Sequence, residues 1–156
     1  MDRINRITEC VEFRAAIERI DELEKDRIYC KHGIEHLLDT ARIAYIISLE
    51  RGLSFNKETI YAAALLHDIG RSSKSAEHEK ESVKIAIHIL DICGFSKEEK
   101  EVVTEAVERH REKDGREDIE TLSDVIREAD KLSRVCAYCD AKSGCKWTLL
   151  NTEIIY

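Results

Sequence analysis

Six residues of this chain combine ligand-type side chains with a spacing that could bring them together: His36, His67, Asp68, His78, His110 and Asp130. Imidazole nitrogens and carboxylate oxygens are the atoms that hold divalent transition ions. The densest point is Ala62-Ala63-Ala64-Leu65-Leu66-His67-Asp68-Ile69-Gly70-Arg71, where five apolar residues run into an imidazole and a carboxylate. Polar groups leaving water at the end of a buried helix need partners, and a metal ion is the simplest partner for both. A His-Asp pair alone is better explained as a polar helix end. The other four residues alter that balance: His36, His110 and Asp130 continue or border an apolar stripe, and His78 opens a helix.

Val103, Ala106 and Val107 lead at helical spacing into His110. Leu122, Val125, Ile126 and Ala129 define a buried face, and Asp130 lies on its edge. A buried aspartate is uncommon and wants a cation or donors. His36 shares a side with Thr40, Ile43 and Ile47, and His32 stacks one turn before it. His78 falls in the first turn of a helix. His88, between Ile87 and Ile89, reads as structural or exposed.

The elements that must position these residues are helices. The chain has 156 residues, no proline and only six glycines, too few breakers for a sheet protein with many turns. The spacing predicts helices over about 6–25, 32–51, 56–69, 76–93, 97–114 and 119–135, an all-α bundle of about six helices. Asn56, Ser75 and Asp118 are candidate N-caps, Ser96-Lys97-Glu98-Glu99 reads as a capping box, and Gly52, Gly70, Gly94 and Gly115 as stops. Ile7, Val11, Ile17 and Ile20 mark the apolar face of the first helix, and Leu37, Ala41, Ala44, Ile47 and Leu49 that of the second. Residues 1–135 read as one helical domain, and 136–156 as a Cys-rich tail packed on it.

Six cysteines stand at 10, 30, 93, 136, 139 and 145. In a helical cytoplasmic protein, burial or metal ligation is expected over disulfides. Cys136, Cys139 and Cys145 supply three thiols within ten residues, one short of a closed tetrahedral site, and Cys30 is the candidate fourth ligand. The same set could hold zinc or an iron–sulfur centre. The alternative is three reduced thiols under a hydrophobic flap of Trp147, Leu149, Leu150, Ile154 and Ile155. The net charge of −7 argues against a DNA-binding surface but leaves room for a small phosphorylated ligand. No signal core or membrane-length apolar run appears, so the expected location is the cytoplasm. The apolar tail residues allow a homodimer.

The ordered set His36-x3-Thr40-Ala41-x2-Ala44, Leu66-His67-Asp68-Ile69-Gly70, His78-Glu79, Arg109-His110 and Glu128-Ala129-Asp130-Lys131 resembles the HD superfamily of metal-dependent phosphohydrolases over about residues 30–135. The tail also looks like the cysteine-rich ending of some small bacterial HD-domain proteins. The resemblance implies one metal on His36, His67, Asp68 and Asp130. In members with two metals it implies His78 and His110 as well, with Asp68 bridging. Some two-metal members carry a double His where this chain has Arg109-His110, a departure that removes one ligand from the second position. His32 stands where some members carry an extra acidic ligand. Mixed imidazole and carboxylate ligands suit Mn, Fe, Co, Ni or Zn better than Mg. The implied reaction is hydrolysis of a phosphate ester or anhydride of a nucleotide or other small phosphorylated molecule. Asp68 would orient the attacking water and take its proton. Arg71 and Lys131 are the candidate phosphate-binding cations, with Lys74 read as solvated loop charge. The rival expectations are a non-catalytic nucleotide or metal sensor and a di-iron oxygenase on the same fold.

Overall fold

The computed structural model describes residues 1–112, 121–145 and 156. Seven α-helices are described: α1 (Asp2–Glu9), α2 (Val11–Leu23), α3 (Ile34–Glu50), α4 (Lys57–Leu66), α5 (His78–Cys93), α6 (Lys97–Arg109) and α7 (Leu122–Leu132). Short 3-10 turns cover Ile69–Ser72, Cys136–Tyr138 and Lys142–Gly144, and no strand occurs among the described residues. The all-α expectation therefore holds. None of the helices is long and apolar enough to cross a membrane.

Helix α4 is the centre of the bundle. Ile60, Ala62, Ala63, Ala64, Leu65 and Leu66 are all buried completely, so the helix is apolar nearly all round and takes neighbours on several sides. It packs against α1, α3, α5, α6 and α7. Three successive alanines keep its girth small, which lets those neighbours approach. Asn56 caps it as expected, its side chain accepting the Glu58 N–H at 2.8 Å. Helix α3 lies against both α4 and α7, and α5 lies against α6 and the 69–72 turn.

Several boundaries differ from the sequence expectation. The helix expected over 6–25 is two helices. Cys10 is extended (φ −69°, ψ 145°) and caps α2, its sulfur accepting the Phe13 N–H. Val11 is consequently 77% exposed instead of lying in the core stripe. Leu49 also points outward, at 60% exposure. The second helix starts at Ile34, leaving His32 ahead of it, and the third stops at Leu66. Ser75 does not cap α5; its hydroxyl accepts the Glu77 N–H in the preceding turn. The Ser96–Glu99 capping box is present, and α6 ends at Arg109. Helix α7 opens on a Thr121–Asp124 box. The expected Asp118 cap, the Gly115 stop and the flap residues Trp147, Leu149, Leu150, Ile154 and Ile155 lie outside the described residues.

Gly94 ends α5 in the left-handed region (φ 79°), with the Phe95 N–H bonded back to the Leu90 carbonyl. Gly70 acts differently. A Cβ there would lie 2.2 Å from the His78 carbonyl oxygen and 2.4 Å from the Ser82 nitrogen. The glycine expected as a helix stop is instead the place where α5 touches the 69–72 turn backbone to backbone. The Gly70 N–H donates to the buried Ser82 hydroxyl at 2.8 Å, which fixes that contact.

Candidate metal centre

The six His and Asp residues singled out above sit at helix ends that converge. His36 is in the first turn of α3, and His67 and Asp68 follow the last residue of α4. His78 opens α5, His110 follows α6, and Asp130 is in the last turn of α7. In a continuing helix, successive side chains point about 100° apart. Here the backbone leaves helical geometry at Asp68 (φ −111°, ψ 9°), and the two neighbouring side chains turn toward one point. Their polar atoms come within 3.4 Å of each other, His67 Nε2 to Asp68 Oδ2.

Two groups of donor atoms result, each drawn within 4.8 Å: His36, His67, Asp68 and Asp130 form one, and Asp68, His78 and His110 the other. In the first, His36 Nε2 lies 3.3 Å and His67 Nε2 3.9 Å from Asp130 Oδ1. In the second, His78 Nε2 lies 3.4 Å and His110 Nε2 3.9 Å from Asp68 Oδ1. Asp68 belongs to both, with Oδ2 facing His67 and Oδ1 facing the second pair.

The outer nitrogens of the histidines set which form they take. Nδ1 of His67 meets the Ala64 carbonyl and Nδ1 of His110 meets the Val107 carbonyl, both at 2.7 Å. A carbonyl only accepts, so each Nδ1 carries a proton and Nε2 is the atom turned inward. The Ser133 hydroxyl donates to the Asp130 carbonyl at 2.8 Å and therefore accepts from His36 Nδ1, at 3.1 Å. His36 thus also turns Nε2 inward. Holding the far nitrogen by a backbone or hydroxyl acceptor is how metal-ligating histidines are fixed.

The donor set also fits a metal by what it lacks. His36 Nε2 and His67 Nε2 are buried without a hydrogen-bond partner. Orphaned polar atoms in a core cost free energy that a cation would recover. Burial opposes the charges of both aspartates, but their neighbours outweigh it. His67, His78 and Arg71 hold Asp68 well below the usual carboxylate range, and His36, His67 and Arg134 do the same for Asp130. Burial, followed by the His67 charge, pushes His110 down to about 4, keeping it neutral.

The candidate cations separate. Arg71 Nε lies 2.7 Å from Asp68 Oδ1, at the site itself. Lys131 is exposed on α7, since one residue of helix carries it about 100° away from Asp130. Arg134, one turn after Asp130, holds that carboxylate at 3.1 Å. Lys74 is exposed, and Arg109 faces outward to Glu105 and Glu112. His88 is 62% exposed, beside Glu12.

Sequence reasoning missed four contributors. Arg134 and Ser133 stand four and three residues after Asp130, a helical spacing that was there to read. Glu24 accepts from His32 Nδ1 at 2.7 Å and aims His32 Nε2 at Asp68 Oδ2, 3.8 Å away. A turn separates Glu24 from His32, so no periodicity announces the pair. Arg111 donates to His78 Nε2 at 3.3 Å and to Glu79 at 2.6 Å.

The chain is similar to known proteins over most of its length. The HD domain family model matches residues 33–135. A Clostridium beijerinckii protein described as "Uncharacterized protein" is 41% identical over 150 residues, covering 94% of this chain and 93% of that one. No solved structure matches the chain. The matched span covers the helices that bring the His and Asp residues together, and the chain belongs to the HD domain family.

Proposed function

We propose that this chain is a metal-dependent phosphohydrolase acting on a phosphate ester or anhydride of a nucleotide or another small phosphorylated molecule. The observation that carries the reading is the double use of Asp68, whose two oxygens face two separate donor groups. Such a carboxylate is suited to bridging two ions. His36, His67, Asp68 and Asp130 would hold the first, and Asp68, His78 and His110 the second. A divalent transition ion there supplies acidification of water and polarisation of a phosphoryl oxygen.

The chain's own residues do the rest. Asp68 is ionised across the neutral range, so it is ready to accept a hydrogen bond from the attacking water, orient it and take its proton. Arg71 reaches the site through Nε, and its guanidinium can grip a phosphoryl group with paired N–H donors. Arg111, paired with Glu79 and 3.3 Å from His78 Nε2, is a second guanidinium beside the other donor group. Charge developing on the phosphoryl oxygens would meet donors already in position.

The test is a phosphate-release screen over nucleotides and sugar phosphates with added Mn, Co, Ni or Mg, run beside metal analysis of the purified chain. Turnover of at least one compound is expected, with loss of release in Asp68→Ala and retention of its helical circular dichroism. Unchanged turnover in that variant would sink the mechanism. If no phosphorylated compound turns over with any metal, the sensor reading replaces it. Oxygen consumption by a two-iron form without phosphate release would identify an oxygenase instead.

A further inference from the structure

We propose that Cys30, Cys136, Cys139 and Cys145 together hold a thiolate-bound metal centre, a single zinc ion or an iron–sulfur cluster, separate from the His/Asp site. The four cysteines come from two stretches far apart in the chain, yet all four line one cavity of about 550 Å³. All are free thiols, and none is fully buried. The local backbone explains how three of them share a face. The Cys139 N–H bonds to the Cys136 carbonyl, Lys142 to Cys139, and Cys145 to Lys142. These bonds form two single 3-10 turns joined by a link that is extended at Cys139, and this compact path keeps Cys136, Cys139 and Cys145 along one cavity, with Lys142 beside them.

Cys30 approaches from the opposite stretch and is held there. The Tyr29 hydroxyl donates to the Gly144 carbonyl at 3.0 Å, joining the segment ahead of α3 to the segment after α7. A Cβ on Gly144 would sit 3.3 Å from that hydroxyl oxygen, so the glycine keeps the junction open. Arg27 Nε–H donates to the Cys30 carbonyl at 2.7 Å. The thiols are close enough to act on one another: burial, then Cys30, Cys139 and Cys145 in turn, pushes the Cys136 thiol up. A bound cation would favour the Cys136 thiolate that burial and the neighbouring cysteines disfavour.

The spacing bears on what the centre is. Among the described residues, no three of these four sulfurs lie within 4.8 Å of one another. A tetrahedral zinc with Zn–S bonds of about 2.3 Å needs its sulfurs about 3.8 Å apart. The 136–145 segment would have to close inward to hold zinc. An iron–sulfur cluster on the same four thiolates takes up more space than one ion and would ask for less closure.

The centre also has a structural consequence for the neighbouring site. His36, Ser133 and Arg134 line the same cavity. Ser133 orients His36, and Arg134 holds Asp130. Pinning the segment that starts right after α7 therefore fixes the residues that aim two of the His/Asp donors. This role does not depend on which reaction the chain carries out.

The experiment measures metal and acid-labile sulfide in the full chain, purified without oxygen, as wild type, as His67→Ala/Asp68→Ala and as Cys136→Ser/Cys139→Ser. The expected result is a metal centre that survives the His/Asp substitutions and is lost with the two cysteines. Iron with matching sulfide and broad visible absorption identifies a cluster; one zinc per chain without sulfide identifies the closed tetrahedral site. Because the serine variant can fail to fold, the wild type is also titrated with cobalt after metal removal and reconstituted with iron and sulfide. Thiolate-to-cobalt charge transfer, or a reconstituted cluster, supports the proposal. Wild type that shows neither, and carries no thiolate-bound metal as purified, overturns it.

Discussion

Replacing Gly70 by alanine should remove one donor group and leave the other. The added Cβ would lie 2.2 Å from the His78 carbonyl oxygen and 2.4 Å from the Ser82 nitrogen, both backbone atoms of α5. Ordinary contact needs at least 3.4 Å, so something must retreat by about 1 Å. The 69–72 turn is held by Ile69, which is completely buried. The start of α5 has less to hold it: residues 74–77 are exposed and Glu77 makes no side-chain cap. The α5 amino terminus is therefore the part that yields, carrying His78 with it. Metal–ligand distances are held to about 0.2 Å, so a shift of about 1 Å takes His78 Nε2 out of range. His36, His67, Asp68 and Asp130 depend on α3, α4 and α7 and should keep their places. Forcing a methyl into closed packing costs about 3 kcal/mol, or roughly 10 °C in Tm for a domain of this size. Thermal unfolding by circular dichroism and metal equivalents per chain by elemental analysis provide the assay. A chain with unchanged Tm and full metal content would refute the close-contact argument. Equal loss from both groups would show that the turn yields, not α5.

Ser133→Ala should leave His36 without its outer acceptor and weaken metal binding at the first group by 10- to 100-fold, read by competition with a chromophoric chelator; unchanged affinity would mean that the hydroxyl does not set the imidazole. His110 gives a pH prediction for metal-free protein. Its folded value is about 4 against an ordinary 6.5, so between those values the unfolded chain takes up a proton that the folded chain refuses. The stability associated with neutral His110 is present above pH 6.5 and falls away as the pH drops toward 4, by roughly 3 kcal/mol at most. Denaturation curves in chelator should therefore show a flatter acid slope for His110→Gln than for wild type, and parallel slopes would count against burial as the cause.

What the sequence made legible follows from what periodicity encodes. Val103, Ala106 and Val107 are buried, and so is His110, which continues their stripe. Leu122, Val125, Ile126 and Ala129 likewise carried the edge position of Asp130. A period of 3.6 residues reports which face of a helix is wet and which is dry, so it can find ligands that lie on dry faces. It cannot report where a helix breaks without a glycine or proline. Cys10 breaks the first helix through its own sulfur cap, and the apolar Val11 gives no warning of it. Nor can it say why a residue is small: Gly70 looks like a stop, and only the approach of α5 shows it as a contact.

The same limit explains the cations. Lys131 was attractive because it adjoins Asp130 in the chain, but adjacency on a helix means a different face. The carboxylate is held instead by Arg134, one turn on, which leaves Arg71 as the guanidinium on Asp68 itself. That division gives the two carboxylates different surroundings. Asp130 has a cation from the residues that directly follow its helix and can serve as a fixed ligand. Asp68 has its cation from the turn that Gly70 presses against α5, so this contact sets how His78 stands against the turn that carries Asp68 and Arg71. The geometry thus ties the shared ligand, the candidate phosphate grip and the second donor group to a single backbone contact, which is why one methyl group at position 70 should separate one metal from two.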